Sequence, residues 1–243
     1  MSDEFPWLGP DDRFRFPRPE DGTEEGIVGA GGNLSPGMLL SAYTQGVFPW
    51  YAPGEPILWW NPDPRFVLFP DEFHVPRRLE RLLRKSPFSY GLDTRFVDVI
   101  TACGEVPRPG QDGTWITDDI RDGYVRLHAL GYAHSLEVFD GEDLVGGLYG
   151  VALGRVFFGE SMFSRCDDAS KAGFSTLMQR LRSHGYVMVD CQVYTDHLAR
   201  FHAREIPRKT FLKRLEVGLS AGPTERGPWT NQPADRAESR VNT

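Results

Sequence analysis

Three consecutive residues of one strand-like segment, VMVDCQV at 187–193, carry side chains suited to acid–base or nucleophilic chemistry. Asp190 offers a carboxylate, Cys191 a thiol and Gln192 an amide, and their neighbours are apolar. Side chains alternate across a strand, so the pattern predicts Asp190 and Gln192 on one side and Cys191 on the other. A buried carboxylate or amide without a partner costs about 1–3 kcal/mol. The two therefore satisfy each other and a nearby backbone, or they line a pocket.

A second carboxylate, Glu160, follows a hairpin that is rich in glycine. The sequence predicts an apolar strand over 144–153, a turn at Gly154 and a return strand over 156–159, with Glu160 and Met162 directly after it. Glycine inside a strand marks a bulge or a place where another group approaches the backbone closely. The hairpin therefore indicates the wall of a pocket, and the alternative is a hairpin that merely twists.

An aromatic and proline-rich stretch runs from Gly46 to Arg65. Its tryptophans Trp50, Trp59 and Trp60 are too apolar to stay in water, whereas its prolines oppose a regular element. The stretch predicts an ordered, packed loop. Such loops fill the space between domains or offer a platform on which a base stacks. Trp115 lies just before a predicted helix cap and is expected to have a fixed position.

A basic helix is predicted over 76–85, with leucines on one face and cations on the other. The cations of that face are Arg77, Arg81, Arg84 and Lys85. A solvated surface would explain them. Basic residues clustered along a helix are also typical of contacts with nucleic-acid phosphates, so both interpretations stay open.

Composition narrows the class of protein. A net charge of −7 over 243 residues argues against coating of nucleic acid, which would need a local basic patch. The three cysteines show no C-x-x-C spacing, and the histidines show no H-E-x-x-H motif, so we expect free thiols in a reducing cytoplasm and no metal. The acidic N-terminus predicts no signal peptide, and no apolar run is long enough for a membrane span.

The order of elements predicts an α+β fold. We expect a small N-terminal domain over 1–64, irregular over 1–30, and a larger α+β domain over 65–218. The sheet of the second domain should be mixed, because a crossover helix joins its last strand to the hairpin. The Gly-, Pro- and charge-rich remainder, 219–243, predicts a disordered tail.

Four segments resemble, in order, motifs of the bacterial leucyl/phenylalanyl-tRNA–protein transferase family: FPWYAPGEPILWWNPDPR, GTWI, LVGGLYGVALGRVFFGESMFSRCDDASK and DCQVYTDHL. The similarity extends from about residue 31 to 215. It implies an N-terminal domain packed on an acetyltransferase-like (GNAT-like) domain. It also implies transfer of Leu, Phe or Met from aminoacyl-tRNA to proteins with N-terminal Arg or Lys, which marks them for N-end-rule degradation. We expect a monomer without a cofactor.

The resemblance implies a role for each candidate residue. The Gln192 carbonyl would accept a hydrogen bond from the attacking amine and Asp190 would orient the amide, with purely positional catalysis as the alternative. Glu160 would recognise polar groups of the substrate. The other implied contacts are Leu148, Phe157 and Met162 to the transferred side chain, Trp50 and Trp115 to the terminal adenosine, and Arg77, Arg81, Arg84 and Lys85 to tRNA phosphates.

Two other functions remain possible from the sequence. An acetyl-CoA-dependent N-acetyltransferase would need a glycine-rich turn for the pyrophosphate, but SRCDDASK has no glycine and two acids. An RNA-binding module without catalysis would leave Asp190 and Gln192 unexplained. Arg200, Phe201 and His202 depart from the small residues that are usual in the family, so the acceptor side of the site is less well defined.

Overall fold

The computed structural model describes residues 5–75, 77–85, 88–106 and 114–231. Parts of the predicted elements therefore lie outside the described residues, namely 1–4, Pro76 at the start of the basic helix, 107–113 before Trp115, and 232–243 of the tail.

Over its described residues, the N-terminal part contains a short three-stranded antiparallel sheet of order β1-β3-β2 and one α-helix. Its elements are β1 (Ile27–Ala30), α1 (Pro36–Thr44), β2 (Phe48–Pro49) and β3 (Leu58–Trp60). The prediction of irregular structure over 1–30 is thus wrong at β1, and the aromatic loop supplies two strands. Strands of two to four residues carry almost no periodic signal, and these depend on pairing around the buried ring of Trp59.

The C-terminal part is built on a seven-stranded mixed sheet of order β10-β4-β9-β8-β7-β6-β5. Its strands are β4 (Arg65–Leu68), β5 (Phe88–Leu92), β6 (Ala133–Asp140), β7 (Asp143–Leu153), β8 (Val156–Ser164), β9 (Met188–Gln192) and β10 (Arg204–Ile206). Strands β8 and β9 pair in parallel, whereas the other neighbours pair antiparallel. Helix α5 (Ala169–Ser183) makes the predicted crossover between β8 and β9. The α+β class and the mixed sheet are therefore confirmed.

Five further α-helices belong to this part of the chain over the described residues. They are α2 (Arg77–Leu83), α3 (Phe96–Glu105), α4 (Asp118–Ala129), α6 (Asp196–Ala199) and α7 (Arg208–Ser220). Side chains of the central strands alternate between two apolar layers. Leu148 and Phe157 pack in the layer of α5, whereas Tyr149 and Phe158 pack in the layer of α1, α3 and α4.

The glycine-rich hairpin forms as predicted, with its turn at Gly154 in a left-handed conformation. The return strand is longer than expected, because β8 continues to Ser164 and includes Glu160. Gly150 allows the close approach that the sequence indicates. A Cβ atom there would collide with the Phe158 carbonyl and the Phe157 ring. The register also shifts between Tyr149 and Gly150, which marks a bulge.

The predicted disordered tail is wrong over 219–231. Helix α7 continues to Ser220, and Trp229 further along is completely buried. A single tryptophan among glycine, proline and charged residues has no periodicity, so its packing depends on distant elements that the local sequence does not reveal. The predicted domain boundary at residue 64 stays a prediction, since Tyr43 and Phe158 share one apolar core across it.

Over the described residues, the structure contains no helix with both the length and the apolar character that a membrane crossing requires.

Candidate active site

A cavity of about 440 Å³ opens where β8 and β9 separate. The pairing of these two strands ends at Phe158 and Asp190, and beyond these residues β8 and β9 are no longer hydrogen-bonded to each other. Seven predicted site residues line this cavity: Trp50, Trp115, Leu148, Phe157, Glu160, Met162 and Gln192. Residues that are up to 142 positions apart in sequence thus meet at one opening in the sheet.

Glu160 lies at the centre of a hydrogen-bonded network in this cavity. Its Oε1 accepts hydrogen bonds from the Tyr43 hydroxyl (2.7 Å) and from Nε2 of Gln192 (2.8 Å), and its Oε2 accepts one from the Tyr124 hydroxyl (2.9 Å). The two tyrosine hydroxyls also contact each other. Burial raises the pKa of Glu160 to about 7, and the nearby charge of Asp190 adds to this rise, although the three donors act to lower it. The carboxyl group can therefore change charge near neutral pH.

Asp190 lies behind the cavity rather than in it. The carboxylate forms a bidentate, fully buried ion pair with Arg65, with Nε–Oδ1 at 2.8 Å and Nη2–Oδ2 at 2.6 Å. The rings of Phe48 and Phe211 lie 4.7 and 4.5 Å from the Arg65 guanidinium. Oδ1 of Asp190 also accepts the backbone N–H of Gln192 at 3.0 Å. Asp190 therefore holds the main chain of Gln192, and the Gln192 amide is held by Glu160.

Strand β9 is irregular at 190–192. Phe66 pairs with Gln192 and Val67 with Asp190, so Cys191 is the extra residue of a β-bulge. Gln192 then adopts a left-handed conformation with φ of 65°. The expectation that Asp190 lines the pocket and that Cys191 points away from it is wrong, because Cys191 and Gln192 line the cavity and Asp190 does not. Burial raises the pKa of the Cys191 thiol far above its usual range, which makes it a poor nucleophile.

The cavity has an apolar end and an aromatic rim. Leu148 and Phe157 form the apolar end with Phe174 and Leu177 of α5. Trp50 is half-buried on the rim, and its carbonyl accepts the indole N–H of Trp60 at 2.6 Å. This hydrogen bond fixes the main chain that carries the Trp50 ring.

Several functional residues are missing from the sequence-based prediction. Tyr43 and Tyr124 come from α1 and α4, and Arg65 begins β4. In the sequence, Tyr124 is only one of several apolar residues on one face of its helix. His197 also lines the cavity, and burial, together with the charges of Lys171 and Arg200, lowers its pKa. Such residues give no local signal, because their role depends on the tertiary arrangement.

The basic helix α2 does not line the cavity. Arg77, Arg81, Arg84 and Lys85 are exposed, and Arg84 pairs with Glu80 at 2.8 Å. The opposite face of α2 buries Leu79 in the apolar layer of α5. The predicted solvated, cationic face is therefore present, beside the helix that supplies part of the cavity wall.

Comparisons with known proteins find matches along almost the whole chain. The family model for leucyl/phenylalanyl-tRNA protein transferase matches residues 67–216, and the model for the N-terminal domain of that family matches residues 32–63. The chain is similar to the leucyl/phenylalanyl-tRNA–protein transferase of Myxococcus xanthus, at 50% identity over 95% of both chains. It is also similar to that of Syntrophus aciditrophicus, at 53% identity over 90% of this chain and 91% of the relative.

Among solved structures, a conserved protein from Staphylococcus epidermidis matches at 12% identity with a TM-score of 0.41, over 59% of this chain and 57% of that chain. The two family models together match most of the chain, and relatives with half of their residues identical cover nearly all of it. The chain therefore belongs to the leucyl/phenylalanyl-tRNA–protein transferase family.

Proposed function

We propose that this protein transfers Leu or Phe, and also Met, from aminoacyl-tRNA to the N-terminal Arg or Lys of an acceptor protein. The reaction would take place in the cytoplasm, where its tRNA substrate is found, and would mark the acceptor for N-end-rule degradation. One observation carries the proposal: an apolar cavity of about 440 Å³ has the Glu160–Gln192 pair beside it and two tryptophans on its wall.

The cavity suits an esterified amino acid. The donor side chain would enter the apolar end of the cavity between Leu148, Phe157 and Met162. This end would take side chains without a branch at Cβ, such as those of Leu, Phe and Met. Trp50 and Trp115 line the cavity and would stack on the terminal adenosine. Stacking of a base on an aromatic ring depends little on the nucleic-acid sequence. Contacts limited to the aminoacyl end and to phosphates carry no information on tRNA sequence.

The exposed cations of α2 would hold the acceptor-stem phosphates. Arg77 and Arg81 lie on α2, and Arg84 and Lys85 directly follow its end. Helix α2 packs on α5, which in turn forms part of the cavity wall. A protein with a net charge of −7 needs such a local patch to bind RNA.

The chemistry is the aminolysis of an activated ester. The neutral acceptor α-amine attacks the ester carbonyl carbon and a C–N bond forms. The bond to the ribose 3′ oxygen breaks, and that oxygen takes up the proton that the attacking nitrogen loses. Correct placement of the two reactants supplies about 7–11 kcal/mol of the barrier reduction. An α-amine has a pKa of about 8, so an appreciable fraction is already neutral at pH 7.

Gln192 would position the amine. Because Tyr43, Tyr124 and Gln192 Nε2 all donate to Glu160, the amide nitrogen of Gln192 is directed at the carboxylate and the amide oxygen is left for the amine. Glu160 would balance the positive charge that develops on the attacking nitrogen. Asp190 would act through the main chain of Gln192 rather than by contact with the substrate.

A transfer assay tests the proposal. Purified protein, Phe-tRNA and a peptide that begins with Arg should give a product with an N-terminal Phe-Arg bond, whereas the N-acetylated peptide should give none. Leu-tRNA and Met-tRNA should also serve as donors. Modification of the peptide only when acetyl-CoA is supplied, and never with Phe-tRNA, would refute the assignment.

A further inference from the structure

The chain that follows α7 returns to the sheet and docks beside the β7–β8 turn. The Thr224 hydroxyl accepts the backbone N–H of Gly154 at 2.9 Å, and the Pro223 carbonyl accepts a hydrogen bond from Arg155 at 2.9 Å. Arg155 also pairs with Glu225 at 3.2 Å. These contacts lead the chain to Trp229, whose side chain is completely buried.

The indole ring of Trp229 is held from several sides. The backbone N–H of Trp229 donates a hydrogen bond to Oδ2 of Asp93 at 2.8 Å. The His134 ring is stacked on the indole at 4.1 Å and 9°, and the Arg180 guanidinium lies 4.4 Å from the ring. His134 is itself bound to Asp93 at 2.8 Å. The position of Trp229 is therefore fixed by polar and stacking contacts from β6, from α5 and from the turn after β5.

The ring itself, rather than its N–H group, accounts for this burial. A buried tryptophan usually finds a partner for its indole N–H. Here Nε1 of Trp229 is buried and has no hydrogen-bond partner among the described residues. The Trp229 side chain therefore contributes by the packing of its ring in the apolar layer of α5.

Trp229 lies directly behind a wall of the cavity. Its ring centroid is 6.0 Å from that of Phe157, with 42° between the planes. Phe157 lines the cavity and sits over Gly150, where a side chain would displace it. Gly150 and Trp229 therefore both limit how far the Phe157 ring can withdraw from the cavity.

We propose that Trp229 sets the depth of the donor side-chain pocket by holding Phe157 in place. This inference rests on the proposed function, in which the transferred side chain contacts Phe157. Trp229 is a positioning residue, because it acts through Phe157 and does not line the cavity. Without the indole, the Phe157 ring can move back, so a large donor side chain gains room while a small one loses packing.

The test is the ratio of kcat/KM for Phe-tRNA to kcat/KM for Leu-tRNA, measured with the same Arg-peptide. Trp229→Ala should raise this ratio about tenfold, the lower end of the discrimination that one methylene gives in an apolar pocket. Trp229→Phe keeps one ring and should raise the ratio less, and it serves as the test if Trp229→Ala does not fold. Leu215→Ala, which truncates a buried residue of α7 outside the cavity, is the matched control.

A residue that only stabilises the fold reduces the active fraction, and this lowers both kcat/KM values equally. An unchanged ratio in both Trp229 variants would therefore overturn the inference. Met162→Ala separates this failure from a failure of the proposed function, because Met162 lines the cavity directly. If Met162→Ala shifts the ratio and the Trp229 variants do not, only the inference is wrong. If none of these variants shifts it, the assigned side-chain pocket is wrong.

Discussion

Removal of the Arg65–Asp190 ion pair tests how Gln192 is positioned. Both side chains are completely buried and joined by two hydrogen bonds of 2.8 and 2.6 Å. Asp190→Leu leaves the Arg65 charge buried without its partner, so the free energy of unfolding should fall by about 3–5 kcal/mol. The substitution also removes the acceptor of the Gln192 N–H, which holds the left-handed conformation there. A displacement of about 1 Å in the site should lower kcat about 100-fold.

The double variant Arg65→Met, Asp190→Leu separates the two effects. An apolar pair of similar volume often replaces a buried ion pair at no loss of stability. We therefore expect unfolding by urea, followed by tryptophan fluorescence, to return close to the wild-type midpoint. The transfer rate at saturating Phe-tRNA should stay about 100-fold low, because Gln192 still lacks its acceptor. A stable double variant with wild-type kcat would refute the reasoning that Asp190 positions Gln192.

Three further predictions concern the carboxyl group, the cationic helix and the aromatic rim. The pKa of Glu160 is raised from 4.5 to about 7 in the folded protein, so the folded state binds more protons than the unfolded state between these pH values. The free energy of unfolding should therefore fall as the pH rises from 5 to 8. Urea unfolding of Glu160→Gln should show a flatter pH dependence. A fall of the same size in Glu160→Gln would assign the dependence to another group. The double variant Arg77→Glu, Arg81→Glu should weaken tRNA binding and reduce the slope of log K against log salt concentration by about 1 for each lost phosphate contact. The control Lys209→Glu, Lys213→Glu on α7, with the same spacing and exposure, should change neither quantity. Equal effects of the two double variants would exclude α2 as the specific tRNA-binding patch. Trp50→Ala should weaken the binding of aminoacyl-tRNA by about 1–3 kcal/mol, while the exposed Trp7 serves as the control; unchanged binding in Trp50→Ala would exclude a stacking role.

The local part of the site follows from the sequence. The glycine-rich hairpin carries its own signals, which are apolar runs, a glycine turn and glycines at a close approach, and it delivers Leu148, Phe157 and Glu160 to one place. The mixed sheet follows in the same way, because a hairpin, a helix and a further strand must form a crossover. Such features depend on residues within about 30 positions of one another.

The non-local part does not follow from the sequence. The bulge at Cys191 arises from the register between β9 and β4, and no residue within β9 indicates it. The tyrosines that hold Glu160 lie on two helices that are far apart in the chain, and each helix alone shows only an apolar face. Trp229 likewise depends on partners in β6 and α5. Sequence reasoning therefore placed Asp190 at the pocket and Cys191 away from it, whereas Cys191 lines the cavity and Asp190 does not.

The most direct test of the cavity as the donor site is a crystal structure of the protein with phenylalanyl-adenosine in which an amide replaces the ester. The account predicts the phenyl ring between Leu148, Phe157 and Met162, the adenine on Trp50 or Trp115, and the reacting carbonyl beside the amide oxygen of Gln192. A ligand bound on another surface, with the cavity between β8 and β9 empty, would contradict it.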